Sequence, residues 1–148
     1  MRNFGRGFTL IEIVLVIAVV TVLAGIAAPI YQSFQVKDSL AVATNILAQN
    51  LRRAQVLSQA SDGDTTWGVK IQSGSITLFK GATYAGRDAG LDEVFTIETS
   101  VSQASGPDEI IFAKFTGDPQ TAGNIVLTTN TNETKTITLN QKGAILYP

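Results

Sequence analysis

The chain begins with a long apolar stretch that carries almost no charge. Over residues 8–31 the only charged residue is Glu12. As a helix this stretch would be about 35 Å long, enough to cross the hydrocarbon core of a bilayer. Arg2 and Arg6 precede it without an acidic residue, which favours a cytoplasmic N-terminus. We therefore predict a transmembrane helix over residues 8–31, with the rest of the chain on the outer face.

A second pattern follows, in which apolar positions are spaced three and four residues apart. Such spacing is typical of an amphipathic helix with one face on a core. No glycine or proline interrupts residues 32–60, and the turn sequence Asp62-Gly63-Asp64 comes directly afterwards. We therefore predict that the helix continues over residues 32–60. The apolar positions are Val36, Leu40, Ala43, Leu47, Leu51, Ala54 and Leu57.

Beyond the turn, the pattern changes to short β-type runs separated by turn residues. Residues 61–148 therefore form a β-rich globular head, and no helix is expected between the strands. The fold class is α+β, a long N-terminal helix packed on an antiparallel β-sheet head. The predicted strands are Trp67–Ile71, Ser75–Phe79, Glu93–Thr99, Glu109–Phe115, Ile125–Asn130, Lys135–Asn140 and Ala144–Tyr147.

Composition narrows the chemistry of the head. The sequence has no Cys, which excludes disulfides and thiolate metal sites, and no His, which removes the usual general base. The net charge is −1, so there is no overall basic field to attract nucleic acid. No nucleophile or paired-carboxylate motif can be named, so we expect neither an enzyme nor a cofactor.

Glu12 is the residue that a simple membrane anchor does not explain. A carboxylate within a membrane span costs roughly 2.5–3.5 kcal/mol. A cleaved secretory signal is one alternative, because Ala24, Ala27 and Ala28 resemble a signal cleavage site. Cleavage after Gly7 is another, since it would create a positive α-amino group on Phe8. That amine could pair with Glu12 of its own chain or of a neighbouring subunit.

The hexapeptide Gly7–Glu12, between a short basic leader and a long apolar helix, resembles the type IV prepilin signature. The resemblance implies that a prepilin peptidase removes residues 1–7, cleaving between Gly7 and Phe8, and then N-methylates Phe8. It also implies that Glu12 pairs with the N-terminus of an adjacent subunit during filament assembly. Thr9 either helps to position that contact or is an incidental small polar residue.

The head resembles the family of H-type minor pseudopilins and T-type minor pilins, through LRRAQVLSQAS leading into WGVKI, EIIFAKFTGDP, and the closing ITLNQKGAILYP. Members of that family carry two small β-sheets on the long helix. The implied function is a structural subunit of a type IV pilus or a type II secretion pseudopilus. A major pilin, or a pilus-associated adhesin or DNA-uptake receptor, is the alternative.

The resemblance also implies partners and a location. The partners are the prepilin peptidase, other pilin or pseudopilin subunits and an assembly platform in the inner membrane. The chain would first lie in the bacterial inner membrane as a single-pass protein and later in the filament. Secretion, pilus and competence systems remain open alternatives.

Gly25 and Pro29 mark a candidate bend in the first helix. Pro29 removes a backbone donor and clashes with the carbonyl of Gly25, four residues earlier. We expect a bend or local melting of the helix there, although both residues are also tolerated in ordinary membrane helices. The resemblance to pilins favours melting on assembly.

Three features beyond residue 31 invite a chemical interpretation. The loop that contains Asp88, Asp92 and Glu93 offers carboxylates that Ca²⁺ prefers, but its spacing matches no EF-hand loop, so we expect ordinary turns and no metal. Arg52-Arg53 is the only basic pair after residue 7, and we expect it on a solvated helix face. Phe115 is expected in the core.

Overall fold

The computed structural model describes residues 7–147, apart from the side chains of residues 26–33. It contains one α-helix, two 3₁₀ helices at Asp62–Asp64 and Ala89–Leu91, and eight strands within that range. The chain divides into two compact units, Met1–Gln35 and Val36–Pro148. The helix and strands are α1 (Leu10–Gln59), β1 (Trp67–Gln72), β2 (Ser75–Lys80), β3 (Glu93–Thr96), β4 (Val101–Ser105), β5 (Glu109–Phe112), β6 (Gly123–Thr129), β7 (Thr134–Leu139) and β8 (Ile145–Leu146).

In the first unit, α1 exposes its apolar side chains on every face. Every large apolar side chain between Phe8 and Leu23 is at least half exposed. Within the described residues, no helical stretch combines the length and the hydropathy of a membrane span. The predicted span of residues 8–31 includes residues 26–31, whose side chains lie outside the described ones.

In the second unit, α1 buries one stripe and exposes the opposite side. The stripe repeats at three- and four-residue intervals, so it forms a single face of the helix. Strands from two sheets contact it and complete one hydrophobic core. The buried helix residues of the core are Leu40, Ala43, Leu47, Leu51 and Ala54.

The strands form two four-stranded antiparallel sheets that interleave along the chain. Sheet A has the order β3-β2-β1-β5, and sheet B has the order β4-β6-β7-β8. The chain passes from β3 in sheet A to β4 in sheet B, returns to sheet A for β5, and then enters β6. Neither sheet is therefore made from one continuous piece of the sequence. The predicted α+β class, a long helix on antiparallel sheets, is confirmed.

The centre of sheet A, in β1 and β2, is buried on both faces, which an amphipathic strand pattern does not indicate. Phe79 is fully buried although it lies on the face away from the α1 stripe. The connection between β2 and β3 folds over that face, and Tyr84 meets the Phe79 ring edge-on at 5.4 Å. Tyr84 is held there because its N–H donates to Glu109 Oε1 at 2.8 Å. The connection between β2 and β3, residues 81–92, thus forms a cover over this face of sheet A.

Three predictions were wrong. No helix was expected between the strands, but the 3₁₀ helix Ala89–Leu91 lies between β2 and β3. Strand β4 was not expected; it places only Val101 in the core and depends on antiparallel pairing with β6. Phe115, expected in the core, is 70% exposed. Its φ is +68°, in the left-handed region, because β5 ends at Phe112 and the chain turns immediately afterwards.

The cover of sheet A generates a stability prediction at Gly68. A Cβ at this position would lie 2.6 Å from Phe79 Cζ and 2.8 Å from the Ile110 carbonyl oxygen. Gly68→Ala should therefore lower the free energy of unfolding by about 1–3 kcal/mol. Urea unfolding of the full chain, followed by fluorescence of the single tryptophan, Trp67, measures it.

Gly90→Ala is the matched control, because its Cβ would meet nothing closer than Asp88 Oδ1 at 3.4 Å. This substitution should change the free energy of unfolding by no more than about 0.5 kcal/mol. Equal effects of the two substitutions would contradict the packing assigned to the cover.

Candidate functional site

The residues predicted to carry function at the N-terminus lie together at the start of α1. The helix begins at Leu10, directly after Thr9. The Glu12 N–H donates to Thr9 Oγ1 at 3.3 Å, and the Ile13 N–H donates to the Thr9 carbonyl at 3.2 Å. Thr9 therefore satisfies backbone donors that the first turn of a helix cannot satisfy within itself.

The predicted cleavage bond lies beside this turn and is accessible. A Cβ added to Gly7 would meet no atom within 4 Å, and Phe8 is 78% exposed. Gly7, Phe8, Thr9 and Glu12 line an open hollow of about 380 Å³. Among the described residues, the Gly7–Phe8 bond is therefore exposed.

Glu12 itself is exposed within the first unit. Glu12 and Phe8 line the same hollow at the start of α1, as expected because side chains on a helix lean towards its N-terminal end. The positive end of the helix dipole lies at the same place and favours a carboxylate there. Glu12 is thus exposed, while its own backbone N–H is already bonded to Thr9.

The acidic residues considered for calcium all have protein partners. Asp88 Oδ1 accepts the Gly90 N–H at 3.1 Å. Asp92 accepts from Arg87 Nε at 2.6 Å, and Glu93 accepts from Arg53 at 2.6 Å. Across residues 7–147 no group of three His, Cys, Asp or Glu side chains is arranged to hold a metal ion. These carboxylates organise the loop and attach β3 to the helix.

The arginine pair is not simply a solvated helix face. Arg53 forms two hydrogen bonds with the carboxylate of Glu93 in β3. The guanidinium of Arg52 lies 5.3 Å from the centre of the Tyr147 ring, a cation–π distance. Adjacent helix positions diverge by about 100°, so one arginine reaches sheet A and the other reaches the chain end that follows sheet B.

Ser58 is a structural junction that the sequence pattern did not single out. It is fully buried, and its Oγ accepts the Trp67 N–H at 2.8 Å. Its carbonyl accepts the Phe115 N–H at 3.0 Å. One residue therefore joins the end of α1 to β1 and to the turn after β5. The only sequence signal is a small polar residue on an otherwise apolar stripe.

Comparison with known proteins agrees with this combination of N-terminus and head. Residues 2–28 match the prokaryotic N-terminal methylation motif. The fold is similar to that of the minor pseudopilin EpsH from the type 2 secretion system of Vibrio cholerae, with a TM-score of 0.54.

The chain is type IV pilin-like.

The likeness to EpsH covers 74% of this chain and 96% of that protein, at 11% sequence identity. At such identity the likeness shows the fold alone. The predicted resemblance of this pilin-like chain to prepilins and to the H-type head is confirmed. The roles assigned to Gly7, Phe8, Thr9 and Glu12 stay predictions.

An ion pair on sheet A of this pilin-like chain generates a pH prediction. Lys70 Nζ donates to Asp108 Oδ2 at 2.7 Å, and this hydrogen bond lowers the pKa of Asp108 below its usual value. Because the folded pKa is depressed, the pair stabilises the fold above about pH 4, and that stabilisation is lost as the pH falls through the folded pKa. Asp108→Asn should therefore lower the Tm at about pH 7 and have a smaller effect near pH 2.

The matched control for this prediction is the same substitution in a Lys70→Met background. Without the ammonium group, the pH-dependent part of the Tm difference should disappear. A difference in Tm that is the same at both pH values, or that persists without Lys70, would contradict the assigned pairing.

Proposed function

We propose that this chain is a structural subunit, a minor pilin or pseudopilin, of a type IV pilus or type II secretion pseudopilus. Prepilin peptidase cleaves between Gly7 and Phe8 and N-methylates Phe8. The processed chain then leaves the bacterial inner membrane, where it is anchored by residues 8–31, and joins a filament. The observation that carries the proposal is the N-terminal methylation motif at residues 2–28 on a head with a minor pseudopilin fold.

The exposed apolar surface of the first unit supports this function. Burying one Val, Leu, Ile or Phe side chain contributes ~1.5–3 kcal/mol, so covering those between Phe8 and Leu23 is worth roughly 20 kcal/mol. The carboxylate of Glu12 costs only roughly 3 kcal/mol in a membrane. The free energy gained by covering the apolar surface is therefore several times the cost of placing the Glu12 carboxylate in a membrane. Lipid covers this surface before assembly, and the helices of neighbouring subunits cover it in the filament.

Glu12 selects the position of the next subunit. In an apolar bundle the attraction between helix surfaces is non-directional, because one apolar contact is much like another. A carboxylate and an amine attract strongly in such surroundings and only when they are adjacent. Pairing of Glu12 with the Phe8 amine of a neighbour therefore fixes the axial offset between subunits.

Gly25 and Pro29 are proposed to let α1 change shape on assembly. The assigned helix, Leu10–Gln59, passes through both positions. Pro29 cannot donate a backbone hydrogen bond, so this segment costs less to open than the rest of the helix. Local melting there would allow the helices to adjust their packing in a filament.

The head is proposed to serve contacts with other subunits instead of DNA. Among the described residues, six cationic side chains of the second unit already pair with carboxylates, and each would have to leave its partner to contact a phosphate. The paired cations are Lys37, Arg53, Lys70, Arg87, Lys114 and Lys142.

Processing gives the first prediction of this proposal. Co-expression with a prepilin peptidase should yield a chain that begins at Phe8 and carries one additional methyl group. Gly7→Val should block cleavage, because a side chain at this position obstructs close approach to the backbone. Intact-mass spectrometry measures both results. Gly5→Val is the control and should be processed normally; an unprocessed wild-type chain would contradict the proposal.

Assembly gives the second prediction. Glu12→Gln keeps the size of the side chain but removes the charge that pairs with an amine. The variant should be processed and retained in the membrane, yet its incorporation into filaments should fall at least about tenfold, as expected for loss of a buried ion pair. Quantitative immunoblotting of sheared filaments measures incorporation. Normal incorporation of Glu12→Gln would remove the role assigned to this carboxylate.

A further inference from the structure

Strand β3 is an edge of sheet A, and its open side has no hydrogen-bonded neighbour among the described residues. It pairs with β2 on one side only. The Ile97 N–H donates to the Gly74 carbonyl at 3.0 Å, so every second residue back from Ile97 also bonds to β2. The backbone N–H and C=O groups of Val94 and Thr96 therefore point away from β2, at the open side of the sheet.

The other three edge strands, β4, β5 and β8, are each protected. β5 forms a further β-bridge, between Phe112 and Pro119. β4 has a bulge after Gln103, whose side chain donates to the carbonyls of Ser105 and Gly106. β8 is only two residues long. Proteins use such devices, as well as edge proline and lysine, to prevent unwanted strand pairing. In β3 the register with β2 is unbroken, and the strand contains neither proline nor lysine.

The two faces of β3 differ in the same way as its two edges. Phe95 and Glu93 lie on the face towards α1, where Phe95 packs against the core and Glu93 is bonded to Arg53. Val94 and Thr96 lie on the opposite face and are exposed, Val94 by 61%. One face and one edge thus hold the strand in place, while the other face and edge are open. A β-branched side chain on a neighbouring strand would cover Val94.

Exposed carboxylates lie at both ends of β3. Asp88 lies near its start, because the Asp88 N–H donates to the carbonyl of Lys80 at the end of β2, and Glu98 follows its end. Neither carboxylate forms an ion pair with a described residue. Residues 87–98 carry one arginine against four carboxylates. A partner strand with a cationic residue at each end therefore complements this edge in charge.

A second copy of the chain fits this edge less well. Two β3 strands that pair through all the open groups of Val94 and Thr96 run antiparallel, with Phe95 opposite its counterpart. Asp92 of each copy then lies opposite Glu98 of the other, and like charges directly opposite each other destabilise a strand pair. The charges therefore favour a partner of different sequence.

We propose that the β3 edge binds an extended segment of a different polypeptide by β-strand addition. The segment has β-branched residues at alternating positions and a Lys or Arg at each end. Main-chain hydrogen bonds to Val94 and Thr96 supply affinity, and the exposed side chain of Val94 and the flanking carboxylates supply selectivity. This proposal goes beyond the proposed function and does not depend on it, because the binding can be measured on a chain outside any filament.

Amide hydrogen exchange, measured by NMR on the full chain in uncharged detergent micelles, tests the proposal. The probe is a short peptide in which Val and Thr alternate between two terminal lysines. At about 1 mM peptide, exchange of the Val94 and Thr96 amides should slow at least about threefold, while that of the Phe95 amide, which already bonds to β2, should change less than about twofold. Unchanged exchange at Val94 and Thr96 would overturn the proposal. The same slowing caused by a higher concentration of the chain alone would identify a second copy as the occupant and overturn the choice of partner.

Two further peptides separate strand addition from simple charge attraction. Methylation of the internal amide nitrogens retains the side chains and the lysines but prevents ladder hydrogen bonds, so this peptide should not slow exchange. Replacement of both lysines by glutamates retains the strand but reverses its charge, and should weaken binding at least about tenfold. Protection by the methylated peptide would overturn strand addition. Equal binding of the lysine and glutamate peptides would overturn the charge preference.

A substitution in β3 tests the same contact from the side of the protein. Val94→Pro removes an N–H that makes no bond within sheet A, so the chain should still fold, as Trp67 fluorescence shows, and the peptide should no longer protect the Thr96 amide. Val94→Thr is the matched control, because it retains the N–H and a β-branched side chain, and it should bind the peptide within about threefold of the wild type. Full protection of Thr96 in folded Val94→Pro would overturn the proposal. If Val94→Pro does not fold, the methylated peptide decides, because it leaves the protein unchanged.

Discussion

Burial of one stripe of α1 against two sheets is the interaction on which the head depends. Leu40, Leu47 and Leu51 lie on that stripe and are almost inaccessible to solvent. Both sheets complete their core on the same helix, so neither sheet has a separate core to rely on. Two arginines beside the stripe each add one contact. Arg53 bonds to Glu93 in sheet A, and Arg52 lies over the ring of Tyr147, which follows sheet B. The helix is therefore the element that sheet A and sheet B share.

The pattern of apolar residues predicted the elements whose burial follows a simple period. The stripe from Leu40 to Ala54 has the period of a helix. In β1 and β2, apolar residues alternate with polar ones or follow one another directly, and clear turn residues lie at the ends of these runs. β4 could not be predicted in this way, because its sequence is mainly small and polar and its conformation depends on pairing with β6. Phe115 was misassigned because an aromatic residue carries the same hydropathy in a core and in a left-handed turn.

The N-terminal methylation motif could be recognised from the sequence because its residues lie close together in the chain. A glycine, a phenylalanine and a glutamate at fixed spacing predict a cleavage point and an amine for the carboxylate to meet. The capping role of Thr9 was missed, although its signal, a threonine three residues before a glutamate, is present in the sequence. Tertiary junctions such as Ser58 were missed for a different reason. Their partners, Trp67 and Phe115, come from separate parts of the chain.

The central claim is that Glu12 pairs with the N-terminal amine of a neighbouring subunit. The most direct test is a cryo-electron microscopy structure of a filament that contains the processed chain, at a resolution that shows side chains. The account predicts the Glu12 carboxylate within about 4 Å of a neighbour's N-terminal nitrogen, with Thr9 still capping the helix. A filament in which Glu12 contacts only its own chain, or faces no amine, would contradict it.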